Sequence, residues 1–239
     1  MDRSHLVLDI ETILDPELPL VDTGAAATER LPPPPHHQIV CIGVLWFDRD
    51  FNVSRIGIIG EGKTEAGALL DFARFVEDKQ PTLVTYNGRA FDLPVLATRC
   101  LRHGVPFRHY YQSRDLRYRF SAEGHLDLMD YVADYGAARN ARLDVMAKLC
   151  GMPGKLGVDG KDVGPLVHEG RLDEVRNYCL CDVVQTAGVF LRLQLVRGEL
   201  TVQRYQDAMG SLIEAVRNNP RVQQVSHSWN EARLRLTEA

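Results

Sequence analysis

Apolar and polar positions alternate along residues 4–12. Leu6, Leu8 and Ile10 fall on one side, and Val7, Asp9 and Glu11 on the other. That is the two-residue period of a strand. The runs IVCIGVLWF (39–47) and NVSRIGIIG (52–60) predict two more strands, joined as a hairpin. Residues 64–78 place apolar side chains at 69, 70, 72, 73, 75 and 76, which predicts a helix with Thr64 as its cap. A fourth strand over 82–88 ends in a turn. A helix over 91–104 follows, closed by Gly104, and Pro94 requires it to begin close by. Residues 125–132 read as a fifth strand and 141–151 as a helix with a glycine stop. From Gly164 to about Asn219 the pattern is helical, broken near Gly170 and at Gly198–Thr201. Three strands, helix, strand, helix, strand, then helices predict a mixed α/β sheet with a helical C-terminal part.

Residues 15–38 break the pattern, with six prolines and no period, and read as a long mobile loop. The run Pro32 to Pro35 within it is a stiff connector, with a polyproline ligand as the alternative.

Composition narrows the function classes. The chain has 239 residues, 45% apolar and 25% charged, ordinary for a globular protein able to bury its own core. A net charge of −4 excludes a histone-like binder but not an enzyme with a local basic groove. Cysteines stand at 41, 100, 150, 179 and 181, an odd number without a C-x-x-C, and read as free thiols in a reducing compartment. Asp9 and Glu11 interrupt the only short apolar run near the N-terminus, so no signal peptide is read there. No run approaches the ~20 apolar residues of a membrane span. The expectation is a cytoplasmic protein without a membrane partner.

Two neighbouring carboxylates flanked by buried aliphatics repel each other and lose hydration. A hard divalent cation between Asp9 and Glu11 offsets that repulsion, and Mg²⁺ commonly takes carboxylates plus substrate phosphates. Further acids are needed. Asp92 follows a strand and a turn and opens a helix, where it is either an N-cap or a ligand. Tyr178 and Asp182 are four apart on one helix and share a face, at the edge of a stripe of Val175, Cys179, Val183, Ala187 and Phe190. The other reading is a core tyrosine beside an exposed aspartate.

In chain order these residues read D-x-E, then N-x-x-x-F-D, then Y-x-x-x-D. The segments DIET (9–12), YNGRAFD (86–92) and YCLCD (178–182) resemble the DEDD superfamily of 3′–5′ exonucleases in its tyrosine-bearing branch. The best match within it is the proofreading exonuclease domain of family B DNA polymerases and its stand-alone bacterial relatives. The resemblance spans residues 4 to about 195. It implies a ribonuclease-H-like fold, a five-stranded mixed sheet with one antiparallel strand flanked by helices. The domain then occupies 1–198 and a helical C-terminal extension and tail 199–239.

It further implies two Mg²⁺ or Mn²⁺ ions, about 3.5–4 Å apart, clamping a terminal phosphodiester. Asp9 would bridge them, Glu11 and Asp182 would complete the ion carrying the attacking water, and Asp92 would serve the other. Tyr178, with an ordinary pKa near 10, would orient the water rather than deprotonate it. Thr12, Asn87 and Phe91 would touch the substrate's 3′ end. Phe91 stacks on a base or fills the core, and both readings stand. The implied activity is removal of nucleoside monophosphates from single-stranded DNA, with RNA as the alternative.

Three further segments bear on this reading. Arg99, Arg102, Arg108, Arg114, Arg117 and Arg119, with His103 and His109, form either a phosphate-tracking groove interleaved with aromatics or a solvated loop. Asp127 is either a group supporting the site or an edge-strand acid. GIIGEGKT (57–64) matches the phosphate-cradling loop of nucleotide hydrolases, but Ile58 and Ile59 continue a strand pattern through Gly57 and Glu61 would oppose phosphate. A nucleotide-binding protein is therefore the runner-up, and an inactive nucleic-acid-binding module a third reading. The glycine-rich loop 153–164 would lie near the site, with Lys155 approaching phosphate.

Overall fold

The computed structural model describes residues 3–18, 32–154, 157 and 159–237. Most of the 15–38 loop, and Lys155, lie outside the described residues. In chain order the elements are β1 (His5–Leu14), β2 (His37–Phe47), β3 (Val53–Ile58), α1 (Glu65–Lys79), β4 (Thr82–Thr85), α2 (Asp92–His103), α3 (Arg108–Gln112), α4 (Arg114–Arg117), β5 (His125–Asp127), α5 (Leu128–Val132), α6 (Leu143–Cys150), α7 (Val163–His168), α8 (Leu172–Val196), α9 (Val202–Arg217), α10 (Gln223–Ser226) and α11 (Glu231–Arg235). The strands form one sheet in the order β3-β2-β1-β4-β5. Neighbouring pairs are antiparallel across β2 and parallel between β1, β4 and β5, so β2 alone runs against the rest. This is the ribonuclease-H-like α/β arrangement, flanked by helices.

Alternation on β1 sets the two layers. Leu6, Leu8 and Ile10 pack with Leu69, Phe72 and Val76 of α1 and Leu93, Val95 and Leu96 of α2. Val7 faces the opposite layer, with Val183, Val184, Ala187 and Phe190 of α8. Tyr205, Met209, Leu212 and Ile213 of α9 pack into that same cluster. Burying this much aliphatic and aromatic surface at roughly 25 cal/mol per Å² is the main favourable contribution to the fold.

Local signals explain most boundaries. Thr64 caps α1 by accepting the Gly67 N–H at 3.3 Å. Gly104, at φ +63°, closes α2 in the left-handed conformation, and Gly151, at φ +101°, closes α6. The fifth strand is shorter than its pattern suggests. β5 stops at Asp127, whose side chain accepts the N–H groups of Met129 and Asp130 and turns residues 128–132 into α5. An aspartate at a helix start outcompetes the strand alternation there.

By length and composition α8 is apolar enough to cross a membrane, although no comparably long uncharged run stands out in the sequence. Of its apolar window 72% is buried inside the fold, against the sheet and α9. The nucleotide-loop motif does not form a phosphate cradle. Gly57 lies inside β3, opposite Val44, while Lys63 pairs with Asp71 at 2.6 Å and Glu61 with Arg221 at 2.5 Å. All five cysteines are buried free thiols.

Candidate active site

β1 brings Asp9 and Glu11 to the sheet face covered by α8. The register of β1 against β2 shifts between Glu11 and Thr12, a bulge immediately after the second acid. Bulges re-aim side chains and recur beside sites. Gly43 stands opposite Asp9 on β2, and a Cβ there would lie 2.6 Å from Cys179 Sγ. The missing side chain lets α8 approach the strand, which carries Tyr178, Cys179 and Asp182 to the acids. Cys179 Sγ lies 3.4 Å from the Asp9 carbonyl and 3.5 Å from its carboxylate, as a weak donor to both. The ligating atoms of Asp9, Glu11 and Cys179 all lie within 4.8 Å of one another.

Asp92 arrives from the other layer. It is the first residue of α2, with Phe91 at the N-cap position, so the N-cap reading of Asp92 is incorrect. Its Oδ1 instead accepts the Ile10 N–H at 3.2 Å, tying α2 to β1 between Asp9 and Glu11. Asp182 accepts from Gln185 at 3.4 Å and lines a cleft of about 100 Å³ with Arg142, Leu143, Asp144 and Gln185.

Crowding of like charge shows in the proton affinities. Burial, then the charges of Asp92, Glu11 and Asp182, hold the Asp9 carboxyl well above the usual carboxylate range. Burial, with a smaller contribution from Asp127, pushes Asp92 up to about 7. Tyr178 is half-buried and hydrogen-bonded to Asp182. Burial and the charges of Asp182, Glu11 and Asp9 raise its phenol far above the ordinary value. The structure thus brings Asp9, Glu11, Asp92, Tyr178 and Asp182 together.

The three predicted substrate contacts cluster beside them. Thr12 hydrogen-bonds to His37 Nδ1 at 2.9 Å, and the His37 ring packs edge-on against Phe91 with centroids 4.9 Å apart. Phe91 is neither fully buried nor exposed. Asn87 sits at the turn after β4 with φ +71°, a left-handed conformation asparagine tolerates. Its N–H is held by Asp127 Oδ1 at 2.9 Å, and the Arg89 N–H by Asp127 Oδ2 at 2.9 Å. Asp127 is therefore an edge-strand acid that also supports the site, buried to 4% exposure. His37, Cys179 and the backbone partners of Asp127 were not legible as site features. His37 follows a proline run without periodicity, Cys179 reads as core, and the Asp127 partners lie forty residues away.

The arginine set splits. Arg99 is buried and bonded to Glu65 at 2.6 and 2.7 Å and to Asp15 at 2.5 Å. Arg102 reaches Glu17 at 2.5 Å and Asp15 at 3.6 Å, and His103 reaches Glu65 at 2.8 Å. These three stitch α2 to α1 and to the segment after β1, so the phosphate-groove reading is incorrect for them. Arg108, Arg114, Arg117 and Arg119 remain at the surface.

A mixed sheet with one antiparallel strand, acids on its first strand and a closing helix that returns a tyrosine and an aspartate, defines a DEDD-type exonuclease domain. A family described as "Predicted 3'-5' exonuclease related to the exonuclease domain of PolB" matches residues 30–232, and the chain belongs to this family. The match includes Asp92, Tyr178 and Asp182 and begins after Asp9 and Glu11. No curated protein matches the chain in sequence. Among solved structures the fold is similar to the family B DNA polymerase of the hyperthermophilic archaeon Pyrobaculum calidifontis. The TM-score is 0.55 at 20% identity, over 94% of this chain and 27% of that one. A zinc-bound E. coli ExoI–ssDNA complex aligns with a TM-score of 0.44 at 14% identity, over 88% of this chain and 43% of that one. E. coli exonuclease I with a dA16 oligonucleotide aligns with 0.43 at 14%, over 93% and 45%. The chain thus spans about a quarter of the polymerase and under half of the exonuclease chains.

Proposed function

We propose that the chain is a divalent-metal-dependent 3′–5′ exonuclease that releases nucleoside monophosphates from single-stranded DNA ends. One observation carries this reading. Four carboxylates from three distant segments converge at one end of β1, and burial, then their mutual repulsion, raises the Asp9 proton affinity. Such a cluster is costly unless a cation occupies it. The donor set is carboxylate oxygen, which suits hard Mg²⁺ or Mn²⁺. Asp9, Glu11, Asp92 and Asp182 would hold two such ions, which when bound polarise the phosphodiester and lower the pKa of water.

The chain's own residues do the rest. Tyr178 keeps its proton at any physiological pH and donates it in a hydrogen bond to Asp182, so its oxygen orients the attacking water by accepting from it and does not act as a base. Cys179 lies against Asp9 as a weak S–H donor to its carbonyl and carboxylate. Thr12, Phe91 and Asn87 grip the terminal nucleotide, Phe91 by stacking, with His37 bracing both Thr12 and Phe91. Asp127 holds the Asn87 turn in place.

The test is incubation with single-stranded DNA and a matching RNA in Mg²⁺, Mn²⁺ or EDTA, with Asp182→Ala as control. Metal-dependent shortening of DNA, lost in the variant, is expected. RNA shortened faster than DNA would reverse the substrate assignment.

A further inference from the structure

Beside the site lies a surface that neither the catalytic residues nor the core accounts for. α3, α4 and the turn after them expose Tyr111 (53%), Tyr118 (48%) and Phe120 (56%), three large aromatics on about ten residues of chain. Exposed Arg114, Arg117 and Arg119 alternate with them. The guanidinium of Arg117 lies over the rings of Tyr110 and Tyr111 at 5.9 and 5.6 Å, and that of Arg114 over Tyr118 at 5.6 Å. Phe120 continues the aromatic row to Tyr135, with centroids 4.7 Å apart, and Tyr135 to Tyr131 at 5.9 Å. Exposing this much aromatic surface is unfavourable unless something covers it.

A chain of contacts links this surface to the Asn87 turn. Arg89 stands two residues after Asn87, and its N–H shares the Asp127 carboxylate with the Asn87 N–H. Its guanidinium lies 3.9 Å from Asp130, which Arg119 holds in a bidentate pair at 2.5 and 2.9 Å. Arg89, Leu93, Tyr110, Leu116, Arg117 and Arg119 line one cleft of about 230 Å³. Tyr110, in the wall of this cleft, packs edge-on against Tyr111 with centroids 5.1 Å apart, which joins the cleft to the exposed aromatics. Arg114 and Arg117 have no acid paired with them in a described salt bridge, and they give the outer end positive charge.

We infer that this surface is the track for the single strand upstream of its 3′ end, with Tyr111, Tyr118 and Phe120 stacking on bases and Arg114 and Arg117 contacting phosphates. The inference rests on the exonuclease reading for its occupant. Planar apolar rings alternating with cations match a strand that alternates bases with phosphates, and such stacking is tolerant of sequence. A protein partner would be served by the rings but gives no reason for arginines spaced between them.

The test is fluorescence anisotropy of 5′-labelled oligothymidylates, from a trinucleotide up to about 16 nucleotides, on the full chain carrying Asp182→Asn to prevent cleavage. The affinity of this chain is expected to rise with length. Tyr111→Ala combined with Phe120→Ala, both exposed positions, should weaken the long oligonucleotide by about 30-fold or more, at ~1 kcal/mol or more per lost stack, and leave the trinucleotide unchanged. Arg114→Gln with Arg117→Gln should lower the salt slope by about 1.4, at ~0.7 per phosphate contact. Unaltered affinity and slope for the long oligonucleotide in these variants overturn the track. If the enzyme shortens no 3′ end but these binding differences persist, the exonuclease reading fails and the track stands.

Discussion

The Asp127 carboxylate accepts the backbone N–H of Asn87 at 2.9 Å, across forty residues of sequence. With the Arg89, Met129 and Asp130 N–H groups it receives four backbone donors in all. One buried side chain thus holds the turn after β4 and starts α5. Asp127→Asn keeps the volume but replaces one acceptor oxygen with a donor that faces other donors. A loss of about 1–3 kcal/mol in urea unfolding is expected. The KM for single-stranded DNA should rise several-fold, because the Asn87 turn loses its clamp. Unchanged unfolding and KM would show that the turn holds itself.

Gly43 sets how closely α8 sits on β1. A Cβ there would meet Cys179 Sγ at 2.6 Å and Val183 Cγ2 at 3.3 Å. Gly43→Ala should cost about 1–3 kcal/mol by overpacking and lower kcat, since Tyr178 and Asp182 move with the helix. Gly57, in the same hairpin, has only an Arg55 side-chain atom at 4.0 Å, so Gly57→Ala serves as the control and should leave kcat unchanged.

Metal-free stability should depend on pH through the acids. Asp92, pushed up to about 7 by burial, keeps a proton in the folded state that the unfolded chain releases near 4. Between about pH 4 and 7 the folded protein binds more protons than the unfolded chain, so this group's contribution falls as pH rises. In EDTA, the Tm of wild type relative to Asp92→Asn should drop across that window. The histidines that titrate the other way, His5 lowered to about 4 and His125 to about 3, chiefly by burial, are present in both proteins and cancel. A Tm difference independent of pH would contradict the raised value.

Arg99 is a structural cation. Only 2% exposed, it joins Asp15 and Glu65, and its loss leaves Asp15 with the more distant Arg102 and Glu65 with His103 as their remaining side-chain partners. Arg99→Met should cost about 3–5 kcal/mol in urea unfolding and leave the salt slope of DNA binding as in wild type. A reduced slope would return Arg99 to the substrate groove.

Much of this was legible in the residues. The β1 alternation, the Thr64 cap and the Gly104 and Gly151 stops each rest on a local rule, and each stands where the pattern puts it. The convergence of the acids was legible because their order along the chain is distinctive. What escaped depends on distance or competition. β5 ended early because Asp127 bonds its own downstream backbone. Arg99 joined the basic set by proximity in sequence, while its partners Asp15 and Glu65 come from other segments. The closeness of Gly43 to Cys179 exists only once α8 lies on the sheet.

The most direct test of the central claim follows one strand labelled at its 5′ end and the same strand labelled at its 3′ end. Each is incubated with wild type and Asp9→Ala, in Mn²⁺ or EDTA. The 5′-labelled strand should give a ladder shortening from the 3′ side, and the 3′-labelled strand should release labelled mononucleotide at once. Both should require metal and Asp9. Internal cuts, shortening from the 5′ side, or equal degradation by Asp9→Ala would contradict the account.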